Sequence, residues 1–185
     1  LSLADAHNVP CRIVLCQECG LIRIDPRMSD ETLNQYYTEF FPAIYYDQTP
    51  RENIYEAQNS HGKIILEYLG ADLRSNSTVV EIGCGLGGIL SAFHQKGHRV
   101  TGAELDPVAA KWGTEHGGFD IRAGSPEKLN DLNGKVDLVI LSHVVEHLPD
   151  PKSVFKQVRE LLKPDGALYI EVPGIKSLSY GQKGM

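Results

Sequence analysis

A chain of 185 residues with a 42% hydrophobic fraction is long enough for one cored domain with a small appendage, and too apolar for disorder. Its net charge of -6 gives no footprint for a phosphate backbone and disfavours nucleic acid as a partner; no apolar run is long enough to span a bilayer. Four cysteines with no export signal argue against a disulfide framework and set a cytoplasmic location as the default. The chain opens at Leu1 without a Met and stops in the loop-like "GIKSLSYGQKGM", so one or both ends are expected to be cut or missing.

The first fifty residues differ from the rest. They hold Cys11, Cys16 and Cys19 and an aromatic cluster of Tyr36, Tyr37, Phe40, Phe41, Tyr45 and Tyr46. "DPRMSDETLNQYY" predicts a turn and then a helix with Ser29 or Asp30 near its N-cap. "IYEAQNSHGKIILEYLG" is amphipathic and ends at Gly70, as a helix C-terminus should. Strands then alternate with helices. Strands are expected at 78–82, 99–104, 119–122, 136–141 and 167–172, and helices at about 87–97, 107–116 and 151–162, with a short one after Pro126. "TVVEI", "DLVIL" and "ALYIEV" are largely apolar, as strands covered on both faces tend to be. The expectation is an α/β fold: a doubly wound, mainly parallel sheet spanning 51–185, preceded by a cysteine- and aromatic-containing cap at 1–50.

"VVEIGCGLGGIL" breaks a buried strand into closely spaced glycines before a helix begins. Gly83, Gly85 and Gly88 satisfy GxGxxG, with Glu104 at a distance suited to a ribose contact, which is the weak signature of an NAD-dependent oxidoreductase. Glu81 opposes that reading, because a carboxylate two residues before the turn is unwelcome beside a pyrophosphate. It suits a ligand with positive charge and no phosphate. The plain alternative is a turn shaped only for packing.

"VVEIGCGLGG", "VTGAELDP", "VDLVILSHVVEHLPDP" and "LLKPDGALYIEVP" resemble, in order and spacing, successive motifs of the class I S-adenosylmethionine-dependent methyltransferases. Together they cover roughly residues 54 to 173. The resemblance implies a Rossmann-like methyltransferase fold, S-adenosylmethionine as cofactor, S-adenosylhomocysteine as product and a small-molecule acceptor. It places Glu81, Gly83, Cys84, Gly85 and Gly87 around the methionine part of the cofactor. It puts Glu104 on both ribose hydroxyls, as a carboxylate can accept two hydrogen bonds at once, and Leu105 against the adenine. The adenine contact falls on Ser125 and Pro126, where family members often have an Asp and a small residue. Here the Ser125 hydroxyl or a backbone group serves, and Glu127 is either part of that contact or a first-turn helix residue.

His143 follows the fourth strand, facing the cofactor's methyl group, and is either a base toward the acceptor or a lining residue. His143, Glu146 and His147 spell HxxEH, but the strand before and the prolines after are the wrong setting for a metalloprotease. Some family members use ExxEH there for a divalent ion; His143 in place of the first Glu weakens that reading. Cys16-x-x-Cys19-Gly20 is half of a zinc knuckle, with Cys11 and His7 as further candidates. That segment also resembles the end of an N-terminal zinc-binding region of sugar and natural-product methyltransferases. The first cysteine pair of that region is not in this sequence, so either it lies upstream of Leu1 or this copy has lost the metal, and free thiols are the alternative. The aromatics of the cap are read chiefly as packing, with Tyr45, Tyr46 or Arg51 reaching the site and Arg51 pairing with the cofactor carboxylate. A non-catalytic cofactor-binding module remains the other alternative.

Overall fold

A computed structural model of the chain describes residues 12–174. It begins with an antiparallel hairpin, β1 (Arg12–Leu15) and β2 (Ile22–Asp25), whose turn carries Cys16 and Cys19. The Cys16 N–H donates to the Leu21 carbonyl (2.8 Å) and the Gly20 N–H to the Cys16 carbonyl (2.9 Å), so the turn is closed by its own backbone. Ile13 lies opposite Ile24 and Leu15 opposite Ile22, and all four side chains are exposed.

Ser29 caps the next helix, α1 (Asp30–Gln35), by accepting the Thr32 N–H at 3.2 Å. The aromatic segment does not end that helix. It continues as a π-helical stretch (Tyr36–Phe40) into α2 (Phe41–Gln48). After Pro50 comes α3 (Arg51–Leu69), which Gly70 ends with φ +51°.

The sheet consists of β3 (Thr78–Ile82), β4 (Arg99–Glu104), β5 (Asp120–Ala123), β6 (Val136–Ser142) and β7 (Leu162–Glu171). All neighbours are parallel, in the order β5-β4-β3-β6-β7. Between them run α4 (Gly88–Gln95), α5 (Pro107–Gly117) and α6 (Pro151–Leu161), with a 3-10 turn at Pro126–Leu132. The chain winds outward from β3 to one edge, then returns to β6 and winds to the other. The order reverses between β3 and β6, and the carboxyl ends beside such a reversal are the usual place for a ligand in sheets of this kind.

Alternation along the strands sorts the core into two layers. Val79, Leu138 and Ile140 pack with Ile65, Leu90 and Phe93 on one face; Val80, Val139 and Leu141 pack with Val158 and Leu161 on the other. Each such side chain contributes about 1.5–3 kcal/mol by leaving water. Helices α3 and α4 cross with little space between their backbones. A Cβ on Gly62 would lie 2.7 Å from the Ile89 carbonyl oxygen, and one on Gly88 would collide with the Tyr55 carbonyl.

Strand β7 starts five residues earlier than its apolar run, because Leu162 already pairs with Val136 and Lys163 reaches Asp137 at 2.6 Å. A local irregularity between Val136 and Leu138 absorbs the mismatch. Among the described residues β7 pairs with β6 alone, and Leu168, Ile170 and the nearby Tyr68 of α3 are exposed. No helix among the described residues is long and apolar enough to cross a membrane.

Candidate active site

The glycine turn leaves β3 at its carboxyl end with Gly83, Gly85 and Gly87 at φ +70°, +55° and +81°, a region that side chains with a Cβ rarely adopt. At Gly85 space matters as well: a Cβ would point at Gln58 Nε2, 3.0 Å away, with the Tyr46 hydroxyl at 4.0 Å. Gln58 in turn accepts the Gly88 N–H at 3.1 Å and so caps the start of α4.

Two carboxylates stand under this turn. Glu81, inside the end of β3, is 2% exposed, and its Oε2 has no hydrogen-bond partner among the described residues. Burial, and after it the charge of Glu104, pushes its carboxyl well above the usual range, against a backbone contact from Leu90 that favours the ionised form. Glu104, the last residue of β4, bridges two loops. Its Oε2 accepts the Gly85 N–H at 2.7 Å and its Oε1 the Asp106 N–H at 3.0 Å. Burial raises its carboxyl too, although those amides oppose the shift. A carboxylate has about four lone-pair positions, so one on each oxygen stays available to a diol.

Cys84 is buried between these groups, and burial followed by the two carboxylates drives its thiol upward; it is an inert filler rather than a nucleophile. Leu105 is partly exposed just after β4. Asp106 caps α5 by accepting the Val108 N–H at 2.8 Å, while its buried Oδ2 has no partner among the described residues. Ser125 precedes the 3-10 turn with Pro126 as its first residue. The Ser125 hydroxyl supports Glu127 and holds that carboxyl low, which still leaves the hydroxyl oxygen as an acceptor. The Gly124 N–H donates to the Glu104 carbonyl at 2.7 Å and ties this loop to the tip of β4.

On the other side of the switch point, His143 adopts φ +54° immediately after β6. Its side chain is about half exposed, with Nδ1 3.6 Å from Glu146 and Nε2 3.8 Å from Glu171. His147 Nε2 lies 3.7 Å from the same Glu146 oxygen. Tyr37, from the π-helical stretch, packs edge-on to His147; burial, Tyr36 and Glu146 together push its hydroxyl up to about 12. Side chains of the segment before α3 thus come near both the His147 turn and Gly85. Arg51 stacks on Tyr46, 5.4 Å from guanidinium to ring centroid, and its buried Nε has no hydrogen-bond partner among the described residues.

The cysteines stand apart from this region. Cys16 and Cys19 are exposed in the hairpin turn, and the backbone N–H groups of Cys19 and Glu18 draw the Cys16 thiol below its usual range. Among the described residues no group of three or more His, Cys, Asp or Glu side chains comes together as a metal site. His7 and Cys11 lie outside the described residues, as does the Tyr45 side chain.

Sequence reasoning assigned no role to Gln58, His61, Asp106 or Glu171. A signal existed for the first two: Gln58, Asn59 and His61 interrupt the buried stripe of α3, where polar side chains need partners. Glu171 was hidden inside an apolar strand.

Orphaned acidic oxygens under a glycine turn call for a cationic ligand, whereas a pyrophosphate would be repelled. A family model described as a methyltransferase domain matches residues 55–184. The chain belongs to the methyltransferase domain family. It is a class I, S-adenosylmethionine-dependent member, which sets aside the oxidoreductase alternative.

The chain is 34% identical over 113 residues to a ubiquinone biosynthesis O-methyltransferase of Xanthomonas oryzae, a match covering 57% of this chain and 47% of the other. It is 29% identical over 175 residues to the C-methyltransferase NovU of Streptomyces niveus, covering 91% of this chain and 39% of that one. The chain therefore spans about half or less of the length of these relatives. Among solved structures, it is similar to a Haloferax volcanii methyltransferase crystallised with the Trm112 activator (TM-score 0.58, 20% identity, 79% of this chain and 62% of the other). It is also similar to a SAM-dependent methyltransferase of Archaeoglobus fulgidus (TM-score 0.53, 23% identity, 65% and 54%). At these identities the structural likeness speaks for the fold alone.

Proposed function

We propose that the protein methylates a small molecule that presents a hydroxyl or carbon nucleophile, with sugars and natural-product intermediates foremost. The observation that carries the cofactor end is the pair of carboxylates, buried Glu81 and partly buried Glu104, the former with an oxygen that has no partner among the described residues. S-adenosylmethionine supplies an electrophilic methyl group on a cationic sulfur. Glu104 would hold the ribose diol, Glu81 and the Gly83–Gly87 turn the methionine ammonium end, and Arg51 the carboxylate. Leu105, Ser125 and Pro126 would border the adenine. The relatives named for O- and C-methylation support a small-molecule acceptor.

His143 would act as the base. It stands at the carboxyl end of β6, half exposed, with the Glu146 and Glu171 carboxylates within 4 Å of its two ring nitrogens. The remainder of the rate would come from aligning acceptor and methyl donor and excluding water. Residues 1–50 would serve as a cap over the domain at 51–185, and Tyr37 and Tyr46 are the contacts in favour of that division.

Zinc is a separate matter. Cys16 and Cys19 would be its ligands, but the described residues supply only half of a tetrahedral set, and no step is assigned to a metal. Metal analysis of the purified protein decides the point: one zinc per chain that is lost in Cys16→Ser supports binding, and metal-free protein counts against it.

The test of the main reading is a thermal shift. S-adenosylhomocysteine at a hundred times its Kd adds about 2.7 kcal/mol, a rise of roughly 5–10 °C for a chain of this size. NADH should give none. The reverse pattern would overturn the assignment.

A further inference from the structure

Glu171 ends β7 and is the register partner of Ser142, one residue before His143. Its carbonyl accepts the His143 N–H at 2.9 Å, so it already holds that residue's backbone in the left-handed conformation. Its two carboxylate oxygens face different groups. Oε2 lies 2.7 Å from Nε2 of His61, on α3, and accepts the Tyr169 hydroxyl at 3.2 Å. Oε1 points at Nε2 of His143, 3.8 Å away, which is an ion-pair distance and not yet a hydrogen bond. Partial burial works against the charge of Glu171, but the His61 contact prevails and holds its carboxyl below the usual range.

We propose that Glu171 is a positioning residue for His143, and that His61 and Tyr169 are its anchor. One oxygen is fixed from behind by two donors, which leaves the other aimed at a single ring nitrogen. A small rotation of the imidazole closes the gap. Glu146, 3.6 Å from Nδ1, competes for the same proton, but Glu171, fixed from behind by two donors, keeps it on Nε2 and leaves Nδ1 as the atom that receives a proton from the acceptor. When that happens, Glu146 stabilises the new N–H. The arrangement follows the general logic of a base oriented by a third group, with helix α3 and strand β7 as the rigid supports. It rests on the reading of His143 as the base, and it gives Glu171, Tyr169 and His61 roles that the sequence reading did not assign.

The experiment is long-range 1H–15N spectroscopy of protein labelled with 15N-histidine, at roughly pH 9, where an ordinary imidazole is neutral. The protein expected to carry Nε2–H at His143 is the parent. In Glu171→Gln the side-chain oxygen stays with the His61 and Tyr169 donors, so the amide NH2 faces Nε2 and turns it into an acceptor. The His143 tautomer ratio should move toward Nδ1–H by about tenfold. His61→Leu releases the anchor and should move the ratio in the same direction by less; it also serves if the first variant fails to fold. A ratio unchanged in the folded variants overturns the proposal, because a merely structural Glu171 has no reason to set the tautomer. The readout needs neither cofactor nor acceptor. An unchanged tautomer with an intact S-adenosylhomocysteine shift therefore removes the role of Glu171 alone, whereas a normal tautomer response with no such shift removes the methyl-transfer reading.

Discussion

Glu104 holds two backbone amides as well as its expected ligand, which makes its removal costly twice over. Glu104→Ala leaves the Gly85 and Asp106 N–H groups without their acceptor and takes away the diol contact. Hydrogen bonds to a charged group are worth about 1.5–3 kcal/mol each. Calorimetry should therefore show S-adenosylhomocysteine affinity falling by at least about tenfold; an unchanged Kd would contradict the assignment. Glu81 gives a pH signature. Its carboxyl is raised in the folded protein, so the stability it contributes is complete below the ordinary carboxylate range and is lost as pH rises through the raised value. Glu81→Gln should thus melt above the parent near pH 8, with the difference shrinking toward pH 5, by about 2–4 °C for each kcal/mol involved. The variant should meanwhile bind the cationic cofactor less well than the parent does. Scanning calorimetry at the two pH values checks the first statement.

At the level of elements, the fixed points are where backbones touch. Gly62 sits against Ile89 at the crossing of α3 and α4, so Gly62→Ala forces the helices apart and should destabilise the protein by about 1–3 kcal/mol in urea unfolding. These long, regular elements were also the ones legible from the sequence. Strands at 78–82 and 99–104, and the end of α3 at Gly70, stand where hydrophobic runs and turn residues place them. The beginning of β7 was not legible, because "LKPDG" has turn composition and is drawn into the sheet by Val136 and Asp137, partners distant in sequence. The aromatic segment likewise gave no sign of a π-helical stretch, since single-residue propensities do not encode an extra residue in a helical turn. At the site, Glu81, Glu104 and His143 carry their meaning in a motif, whereas Glu171 depends on which helix faces the end of β7. Contacts of that kind across 110 residues leave no local pattern.

Across the whole molecule, the two sides of the switch point differ in how they are closed. The β5 side carries the Arg122 pairing with Asp120 and Asp131 and the 3-10 turn that returns the chain toward β6. The β7 side carries Leu168 and Ile170 at the surface, and among the described residues no strand lies beyond it. A row of peptide groups along that border is a template for any extended chain that meets it, whatever its side chains. A self-association that used this border would depend on concentration and on its apolar side chains: Ile170→Lys, by placing a charge there, should lower whatever association light scattering detects in the concentrated parent, and an unchanged particle size would show that the border takes no part.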